Sequence, residues 1–396
     1  MKMEQKKGAE ITSRLVLLMS IANGVVVANL YYAQPLLILI SRYFGISTTN
    51  ASVIATFTQL GYATGIITLL PLADVMDKKK LIVRLFIPCL LAIAGVYFST
   101  SFVLTCICSF LLGMTSMTPQ LLLTLAIQNS DPEKRGKNIG SLLSGLLMGI
   151  LLSRVASGIL GNYFGWKAIY AVAFVLLFSL MIGLMKYLPH SFATADVSYK
   201  AAMSSLPRIF LKEKLVQKIS LIGCMSFFAM STFWTCLTFY LADVYHFSSG
   251  VTGLFGLIGL SGAFASKITG NSIDRHGPYS PMKVALGLVV GAYLLFLGGA
   301  QELVFLILGI IVLDLGVQSC NVSCQSVIQQ FPNAIKGRVT AIYMFCFFLG
   351  GSLGSFLGTS VYQNYGWGMV CIMGLVSQII AVLTFVTIHK QKKEKR

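Results

Sequence analysis

Twelve long apolar runs follow one another along the chain, and this succession limits the possible folds more than any other feature. Each run has about 20 residues or more, the length that an α-helix needs to cross the hydrocarbon core of a bilayer. The runs occupy approximately residues 14–40, 50–73, 81–99, 101–127, 139–161, 166–188, 216–242, 251–272, 281–299, 302–328, 338–362 and 366–389. The sequence therefore predicts an all-α, polytopic membrane protein with twelve transmembrane helices.

The low proportion of charged residues separates this chain from soluble proteins. Charged residues make up 11% of its 396 residues, against about 25% in soluble domains, and the mean hydropathy is +0.80. These values exclude a cytosolic enzyme, a disordered chain and a coiled coil. They also argue against an outer-membrane β-barrel, whose strands alternate polar and apolar residues.

The sequence predicts no metal, nucleotide or catalytic site. All nine cysteines fall inside apolar runs, so we expect buried thiols and no disulfide framework. Cys320 and Cys324 lie one helical turn apart, but no His or third Cys accompanies them, so we interpret them as packing residues. The motif G-x-x-x-x-G-K-[ST] is missing from the sequence, which excludes an ATP-driven pump on this chain. We expect no enzyme activity, no cofactor and no metal.

The positions of the basic residues predict how the chain crosses the membrane. There are 30 Lys and Arg against 13 Asp and Glu, a net charge of +17. Apart from Arg42, Lys167 and Arg154, the basic residues lie at the termini, in the even-to-odd links or at the helix ends beside them. Since cytoplasmic loops carry the excess of Lys and Arg, both termini are predicted to be cytoplasmic. We expect a multi-pass protein of a bacterial cytoplasmic (inner) membrane, and no binding to nucleic acid.

The two halves of the sequence match each other at a spacing of 200 or 201 residues. Four matches at nearly constant spacing indicate an internal repeat. Six helices per half is an even number, so both halves enter the membrane in the same sense, as parallel repeats. The matched positions are Asp74 and Asp274, Gly136 and Gly337, Gly149 and Gly350, and Gly165-Trp166 and Gly366-Trp367.

The longest polar link between spans divides the chain. We predict an N-terminal six-helix bundle over residues 1–188, a cytoplasmic linker over 189–215 and a C-terminal six-helix bundle over 216–396. A substrate site is expected between the two bundles, near the middle of the membrane.

Two motifs resemble those of a known transporter family. The link between spans 8 and 9 reads Gly270-Asn-Ser-Ile-Asp274-Arg275-His276-Gly277, and span 1 contains Asn29-Leu-Tyr-Tyr-Ala-Gln-Pro-Leu-Leu37. These segments resemble the major facilitator superfamily, in a bacterial branch related to drug:proton antiporters. The span 5 motif of drug antiporters, G-x-x-x-G-P-x-x-G-G, is altered here, because Arg154 stands in place of its proline and Ser153 and Ser157 replace two of its glycines.

The resemblance implies a conformational latch at the cytoplasmic side. Asp74 in link 2–3 would meet the start of span 11 near Arg338, because a carboxylate is favoured beside a helix N-terminus. Asp274 and Arg275 would be the counterpart toward span 5. The alternative is that these are solvated loop charges that help to fix the topology.

Two ionisable residues lie inside predicted spans. Asp314 is in span 10 and Arg154 is in span 5, where a charge costs at least a few kcal/mol. We predict that they form a proton-coupling site, because desolvation and a nearby guanidinium act on a carboxylate in opposite directions. A purely structural ion pair is the alternative.

Uncharged polar and aromatic residues within the spans predict a substrate pocket. Amides that face lipid are costly, so we expect them to face the interior. Each residue alone is also consistent with a hydrogen bond between helices. The predicted substrate-binding residues are Asn29, Tyr31, Tyr32, Gln34, Gln59, Gln120, Trp234, Gln318 and Asn321.

Together these features predict a secondary transporter that works by alternating access. We expect proton-coupled efflux of a small amphipathic molecule by a monomer, with protons, the substrate and the lipid bilayer as its partners. Proton-coupled uptake of a sugar, nucleobase or organic acid is the alternative. A lipid translocase or a membrane sensor without transport is a further alternative.

Overall fold

A computed structural model describes residues 12–131, 134–190, 199–299 and 302–394, and these residues form helices without strands. Two 3₁₀ segments, Gln34–Leu36 and Phe255–Leu260, interrupt the α-helices. The α-helices are α1 (Ser13–Ala28), α2 (Leu37–Phe44), α3 (Thr48–Leu69), α4 (Leu72–Val75), α5 (Lys78–Phe98), α6 (Phe102–Thr115), α7 (Thr118–Asn129), α8 (Arg135–Phe164), α9 (Ala168–Tyr187), α10 (Tyr199–Lys212), α11 (Lys214–Tyr245), α12 (Ser249–Leu254), α13 (Ser261–His276), α14 (Tyr279–Gly298), α15 (Leu303–Ile328) and α16 (Asn333–Glu394).

The helices confirm the twelve predicted crossings. Ten helical stretches of the described chain are long and apolar enough to span a bilayer. The first crossing is additional, because a break divides it into α1 and α2. The last stretch holds two crossings, since Gly366 interrupts α16 with non-helical dihedral angles (φ 75°, ψ −173°). Helix α10 lies within the predicted linker, and residues 191–198 of that linker are outside the described chain.

Equivalent packing contacts recur in the two halves. Gly149 of α8 lies directly against Gly24 of α1, so that a Cβ at Gly149 would overlap the Gly24 backbone. Gly350 of α16 lies in the same way against the backbone of Cys224 in α11. The residues of the second contact follow those of the first by 201 and 200 positions. The repeat that the sequence predicts is therefore also a repeat of helix packing.

The matched Gly-Trp pairs form equivalent turns. Gly165 has φ 84° and ψ 161° between α8 and α9, and Gly366 has φ 75° and ψ −173° within α16. This region of conformational space is essentially restricted to glycine. Each glycine therefore allows the chain to reverse between two antiparallel crossings in its half.

The first crossing is broken at Pro35. Pro35 has no backbone N–H, and its ring disfavours the helical bond to the carbonyl four residues earlier. Turns after Ala28 and the 3₁₀ segment Gln34–Leu36 replace the regular helix here. The backbone carbonyl of Gln34, inside this break, accepts a hydrogen bond from Thr238 Oγ1 of α11 at 3.0 Å. The break thus provides a contact between the first and second halves.

Further contacts between the halves lie toward the end of the bundle predicted to face outward. Thr48 and Thr49 at the start of α3 hydrogen-bond with Gln363 of α16. Gly158 of α8 packs against Gly253 of α12, and a Cβ on Gly158 would lie 3.0 Å from the Gly253 Cα. The halves are therefore in close contact at this end.

Candidate substrate and coupling site

A cavity of about 210 Å³ lies between the two halves. It extends from the middle of the bundle toward the predicted cytoplasmic ends of α8 and α15. Its wall is mainly apolar, and both halves contribute polar side chains to it. The predicted site residues that line it are Tyr31, Gln120, Arg154, Asp314, Gln318 and Asn321.

Arg154 lies at the head of this cavity, which is the end nearer the middle of the bundle. Only 4% of its surface is exposed. Its Nε donates a hydrogen bond to Gln34 Oε1 at 3.1 Å. Its guanidinium carbon lies 3.9 Å from the centre of the Trp234 ring and 5.1 Å from that of Tyr31. A cation over an aromatic face is stabilised by about 0.5–2 kcal/mol. Aromatic faces and one amide therefore hold the guanidinium in a fixed orientation.

Asp314 lies on the other side of Trp234. Its Oδ1 accepts a hydrogen bond from Trp234 Nε1 at 3.2 Å, and the residue is 4% exposed. Arg154 and Asp314 form no ion pair within 4.0 Å, in contrast to the direct pair that the sequence left open. Trp234 connects them instead, with its ring on the cation and its N–H on the acid.

This arrangement crosses the interface between the halves. Gln34 follows α1 and Arg154 is on α8, whereas Trp234 is on α11 and Asp314 is on α15. The stacking of Arg154 on Trp234 is therefore a contact between the two repeats. Any movement of one half relative to the other would alter the contact that links the base to the acid.

A stripe of glycines in span 8 covers both charged residues. Glycines occur at every third position from 253 to 262, and the 3₁₀ segment Phe255–Leu260 has about three residues per turn, so they share one face. A Cβ on Gly256 would lie 3.0 Å from Arg154 Cβ, and one on Gly259 would lie 2.7 Å from Asp314 Oδ2. The spacing by itself indicates only a helix-packing face, and the position of that face over Arg154 and Asp314 depends on how span 8 packs against α8 and α15.

A polar strip on α15 leads from Asp314 toward the end of the helix that is predicted to be cytoplasmic. Gln318, Asn321 and Gln325 follow Asp314 at intervals of four, three and four residues, which places them on one helix face. Gln318 Nε2 donates to Ser266 Oγ at 3.2 Å, and Asn321 Oδ1 accepts from Tyr343 Oη at 2.9 Å. All three line the cavity.

Other predicted pocket residues lie outside the central cavity. Asn29 Nδ2 donates to Ser116 Oγ at 3.1 Å, a contact between helices within the first half. Tyr32 packs edge-on against Tyr170, with ring centres 6.1 Å apart. It lines a separate cavity of about 950 Å³ between α1, α8 and α9.

Gln59 lies at the contact between the halves. Its Oε1 accepts a hydrogen bond from Ser231 Oγ of α11 at 3.4 Å, while its Nε2 is buried without a hydrogen-bond partner among the described residues. Tyr62, one turn later on α3, lines the cavity and packs edge-on against Phe348 of α16, with ring centres 4.5 Å apart. The predicted substrate-binding residues include Gln59 but not Tyr62.

The predicted latch is only partly within the described chain. The side chain of Asp74 lies outside it, so its contact with span 11 stays a prediction. Asp274 and Arg275 are exposed at the end of α13. Arg338 lies where Asp74 is predicted to make its contact. Its Nη1 donates a hydrogen bond to Ser205 Oγ of α10 at 2.9 Å.

Comparisons with known proteins agree with this architecture. The chain is 36% identical over 384 residues to the uncharacterized transporter YgaY of Escherichia coli O157:H7. The aligned region covers 96% of this chain and 97% of the relative. It is 23% identical to a protein named probable sugar efflux transporter in Haemophilus influenzae, over 97% of this chain and 94% of that one.

The fold is also found in a solved structure of the nucleoside transporter NupG. The TM-score is 0.75, with 14% identity over 95% of this chain and 98% of the other. The family model described as Major Facilitator Superfamily matches residues 17–331. With twelve crossings in two similar halves and a cavity between them, the chain belongs to the major facilitator superfamily and is a membrane transporter.

Proposed function

We propose that this protein is a proton-coupled secondary transporter of a small amphipathic molecule. The single observation that carries this proposal is a series of three contacts. Arg154 hydrogen-bonds to Gln34 and stacks on Trp234, and Trp234 hydrogen-bonds to Asp314. This series places one base and one acid at the head of a mainly apolar cavity between the halves. The mixture of apolar wall and polar head suits a molecule with one polar end.

The proposed coupling depends on the environment of Asp314. A carboxylate favours its neutral form when it is desolvated and its charged form when a cation is near. Because Arg154 belongs to the other half, rocking of the halves would change its distance from Asp314 and admit water on one side only. Such a change in proton affinity between two conformations is what a proton carrier requires. We propose that Asp314 carries the proton and Arg154 adjusts its affinity.

The proposed substrate site uses the residues that line the same cavity. Tyr31 and Gln120 are contributed by the first half, and Gln318 and Asn321 by the second. A ligand that touches both halves can stabilise the closed intermediate through which alternating access proceeds. Asn29 and Tyr32 are better explained as packing residues, because their contacts lie within the first half.

Two directions of transport are consistent with this site. Efflux in exchange for protons requires that substrate and proton exclude each other, and the names of relatives such as the Haemophilus protein support it. Uptake together with protons requires that substrate and proton are bound at the same time. One observation favours it: Arg154 has no carboxylate within 4.0 Å in the described structure, so a negatively charged substrate can bind there while Asp314 holds the proton. The bacterial inner membrane and a monomeric state complete the proposal, with the basic residues of the even-to-odd links supporting the orientation.

Reconstitution into proteoliposomes tests the proposal. Compounds that stabilise the purified protein against heat would be radiolabelled, and their accumulation measured with an imposed proton gradient of either sign. Gradient-driven movement that a protonophore abolishes supports coupling, and the sign of the gradient that drives accumulation gives the direction. Transport that is indifferent to the gradient overturns the proposed coupling.

A further inference from the structure

We propose that the transported molecule is an organic anion whose anionic group binds the terminal nitrogens of Arg154. This inference rests on the proposed transport function, because it assigns the class of substrate to the same cavity. It arises from the state of Arg154, whose positive charge is buried at the head of the cavity with no carboxylate in contact.

The hydrogen bonds of Arg154 leave one part of the side chain available. Its Nε is occupied by Gln34, whereas Nη1 and Nη2 donate to no residue of the described structure. Neither atom is among the buried, unpartnered nitrogens of the described side chains, and the residue lines the cavity. The terminal nitrogens therefore face space that a ligand can occupy.

The geometry of the Arg154 guanidinium suits an oxyanion. A guanidinium presents parallel N–H groups that bind both oxygens of a carboxylate or phosphonate, and such charge-assisted bonds are about twice as strong as neutral ones. Trp234 and Tyr31 lie against the guanidinium at 3.9 and 5.1 Å and fix its plane. The donors are thus oriented before the ligand arrives.

Charge balance favours an anion over a cation. Among the described residues that line the cavity, Arg154 is the only Lys or Arg and Asp314 the only acid. Asp314 is not within 4.0 Å of Arg154, and once Asp314 is protonated the guanidinium has no counter-charge among these residues, which costs several kcal/mol. An anionic ligand would supply that counter-charge, whereas an ammonium ligand would place a second positive charge beside Arg154.

The apolar remainder of the cavity wall favours an anion with an organic body. Val27, Leu147 and Ile150 of the first half face the cavity, as do Phe227, Met230 and Phe347 of the second. A volume of about 210 Å³ exceeds the requirement of a simple inorganic oxyanion, since one water occupies about 30 Å³ of liquid. A small aromatic or branched aliphatic acid fits this combination of head and wall.

The anion and a proton on Asp314 would favour each other's binding. An anion at Arg154 lies near Asp314, because Trp234 touches both residues, and two negative charges in a buried site repel. Protonation of Asp314 removes this repulsion, and by reciprocity a bound anion favours protonation. Binding should therefore take up a proton, which leads to cotransport and selects the second of the two proposed directions.

Matched ligands of one skeleton and different charge test the inference. The probes are benzoate, benzamide and benzylamine, then hexanoate, hexanamide and hexylamine, with phenylphosphonate as a second oxyanion. Binding to the purified full-length protein would be measured by calorimetry and by the shift in unfolding temperature. We expect that at least one oxyanion binds, at least tenfold more tightly than the amide and amine of its skeleton. If no oxyanion binds more tightly than its amide, the proposal is wrong.

Substitutions at Arg154 connect this binding to the proposed residue. Arg154→Gln should weaken binding of the selected oxyanion at least tenfold, while Arg154→Lys should lose less because it keeps the charge. Arg84→Gln is the matched control, since Arg84 is exposed on α5. Unchanged affinity in Arg154→Gln would overturn the assignment. If that variant fails to fold, Arg154→Lys must still weaken oxyanion binding more than Arg84→Gln does, and equal affinity in these two would overturn it.

Proton uptake separates this inference from the transport proposal. In weakly buffered solution, addition of the oxyanion should raise the pH with the parent protein and leave it constant with Asp314→Asn. Anion-specific binding that depends on Arg154, but without proton uptake, would uphold the anion site and contradict the proposed coupling. Gradient-driven transport of neutral compounds alone would uphold the transport proposal and overturn the anion site.

Discussion

The indole nitrogen of Trp234 donates a hydrogen bond to Asp314 Oδ1 at 3.2 Å. The same indole ring carries the guanidinium of Arg154 on its face. One aromatic side chain therefore contacts an acid of its own half and a base of the other half. In the proposed coupling, this dual contact would make the relative position of the halves and the protonation state of Asp314 depend on each other.

Substitution of Asp314 tests the role of the acid. Asp314→Asn keeps the size of the side chain and mimics the protonated form, so we expect the variant to insert normally and to bind substrate. Accumulation driven by a proton gradient should fall at least tenfold, because a group that cannot release its proton cannot couple. The measurement is uptake of a compound selected by thermal shift into proteoliposomes. Accumulation equal to that of the control Asp243→Asn, an exposed acid on α11, would make Asp314 a structural residue.

Replacement of Trp234 by phenylalanine removes the N–H and weakens the cation–aromatic contact. Each interaction contributes about 0.5–1.5 kcal/mol, so apparent affinity should fall about three- to thirtyfold. Trp166→Phe provides the control. Trp166 is also buried, but it lies in the link between α8 and α9, beside Lys167. Equal effects of the two substitutions on apparent affinity, measured by calorimetry, would indicate a general packing defect and contradict a specific role for Trp234.

The fold could be predicted from the sequence because its strongest signals are long and local. Runs of about 20 apolar residues define crossings whatever their partners are, and Pro35 marks the break in the first crossing by covalent geometry. The repeat was visible because Gly149 and Gly350 keep two helices close in each half. These signals do not depend on knowing which helix face meets which neighbour.

The candidate site was predicted less completely, because helix faces in a membrane are poorly marked. Apolar residues face both lipid and protein, so hydrophobic periodicity does not separate Asn29 from Tyr31. Asn29 bonds to Ser116 within the first half, whereas Tyr31 reaches the cavity and Arg154. The link through Trp234 depends on the packing of four distant segments, which no local pattern encodes.

The cavity divides the predicted pocket residues into two groups that substitution can distinguish. Tyr31→Phe and Gln318→Ala should alter apparent affinity with little change in yield, because these residues line the cavity. Asn29→Ala and Tyr32→Ala should instead lower the yield or the unfolding temperature. Asn29 donates to Ser116, and loss of a buried hydrogen bond costs about 1–3 kcal/mol. Fluorescence size-exclusion chromatography and calorimetry on the four variants would test this, and affinity losses confined to Asn29 and Tyr32 would contradict the placement of the pocket.

A methyl group at Gly259 tests whether the glycine stripe sets the position of the acid. The Cβ of Gly259→Ala would lie 2.7 Å from Asp314 Oδ2 and 3.2 Å from Leu151 Cδ2, distances that force the carboxylate to turn away. Since alanine has a higher helix propensity than glycine, we expect normal insertion and yield. Gradient-driven accumulation should fall at least tenfold, because the acid would lose its alignment with Trp234.

Gly270→Ala is the matched control for this substitution. It lies in the same crossing, and a Cβ added there meets no atom within 4 Å, so transport should stay close to that of the parent. Gly256→Ala should have an intermediate effect, since its Cβ would lie 3.0 Å from Arg154 Cβ. Transport by Gly259→Ala at the rate of Gly270→Ala would show that the stripe tolerates bulk and that the carboxylate does not depend on it. A graded loss in the order Gly270, Gly256, Gly259 would instead connect the three-residue spacing of the glycines to Asp314, the proposed coupling acid.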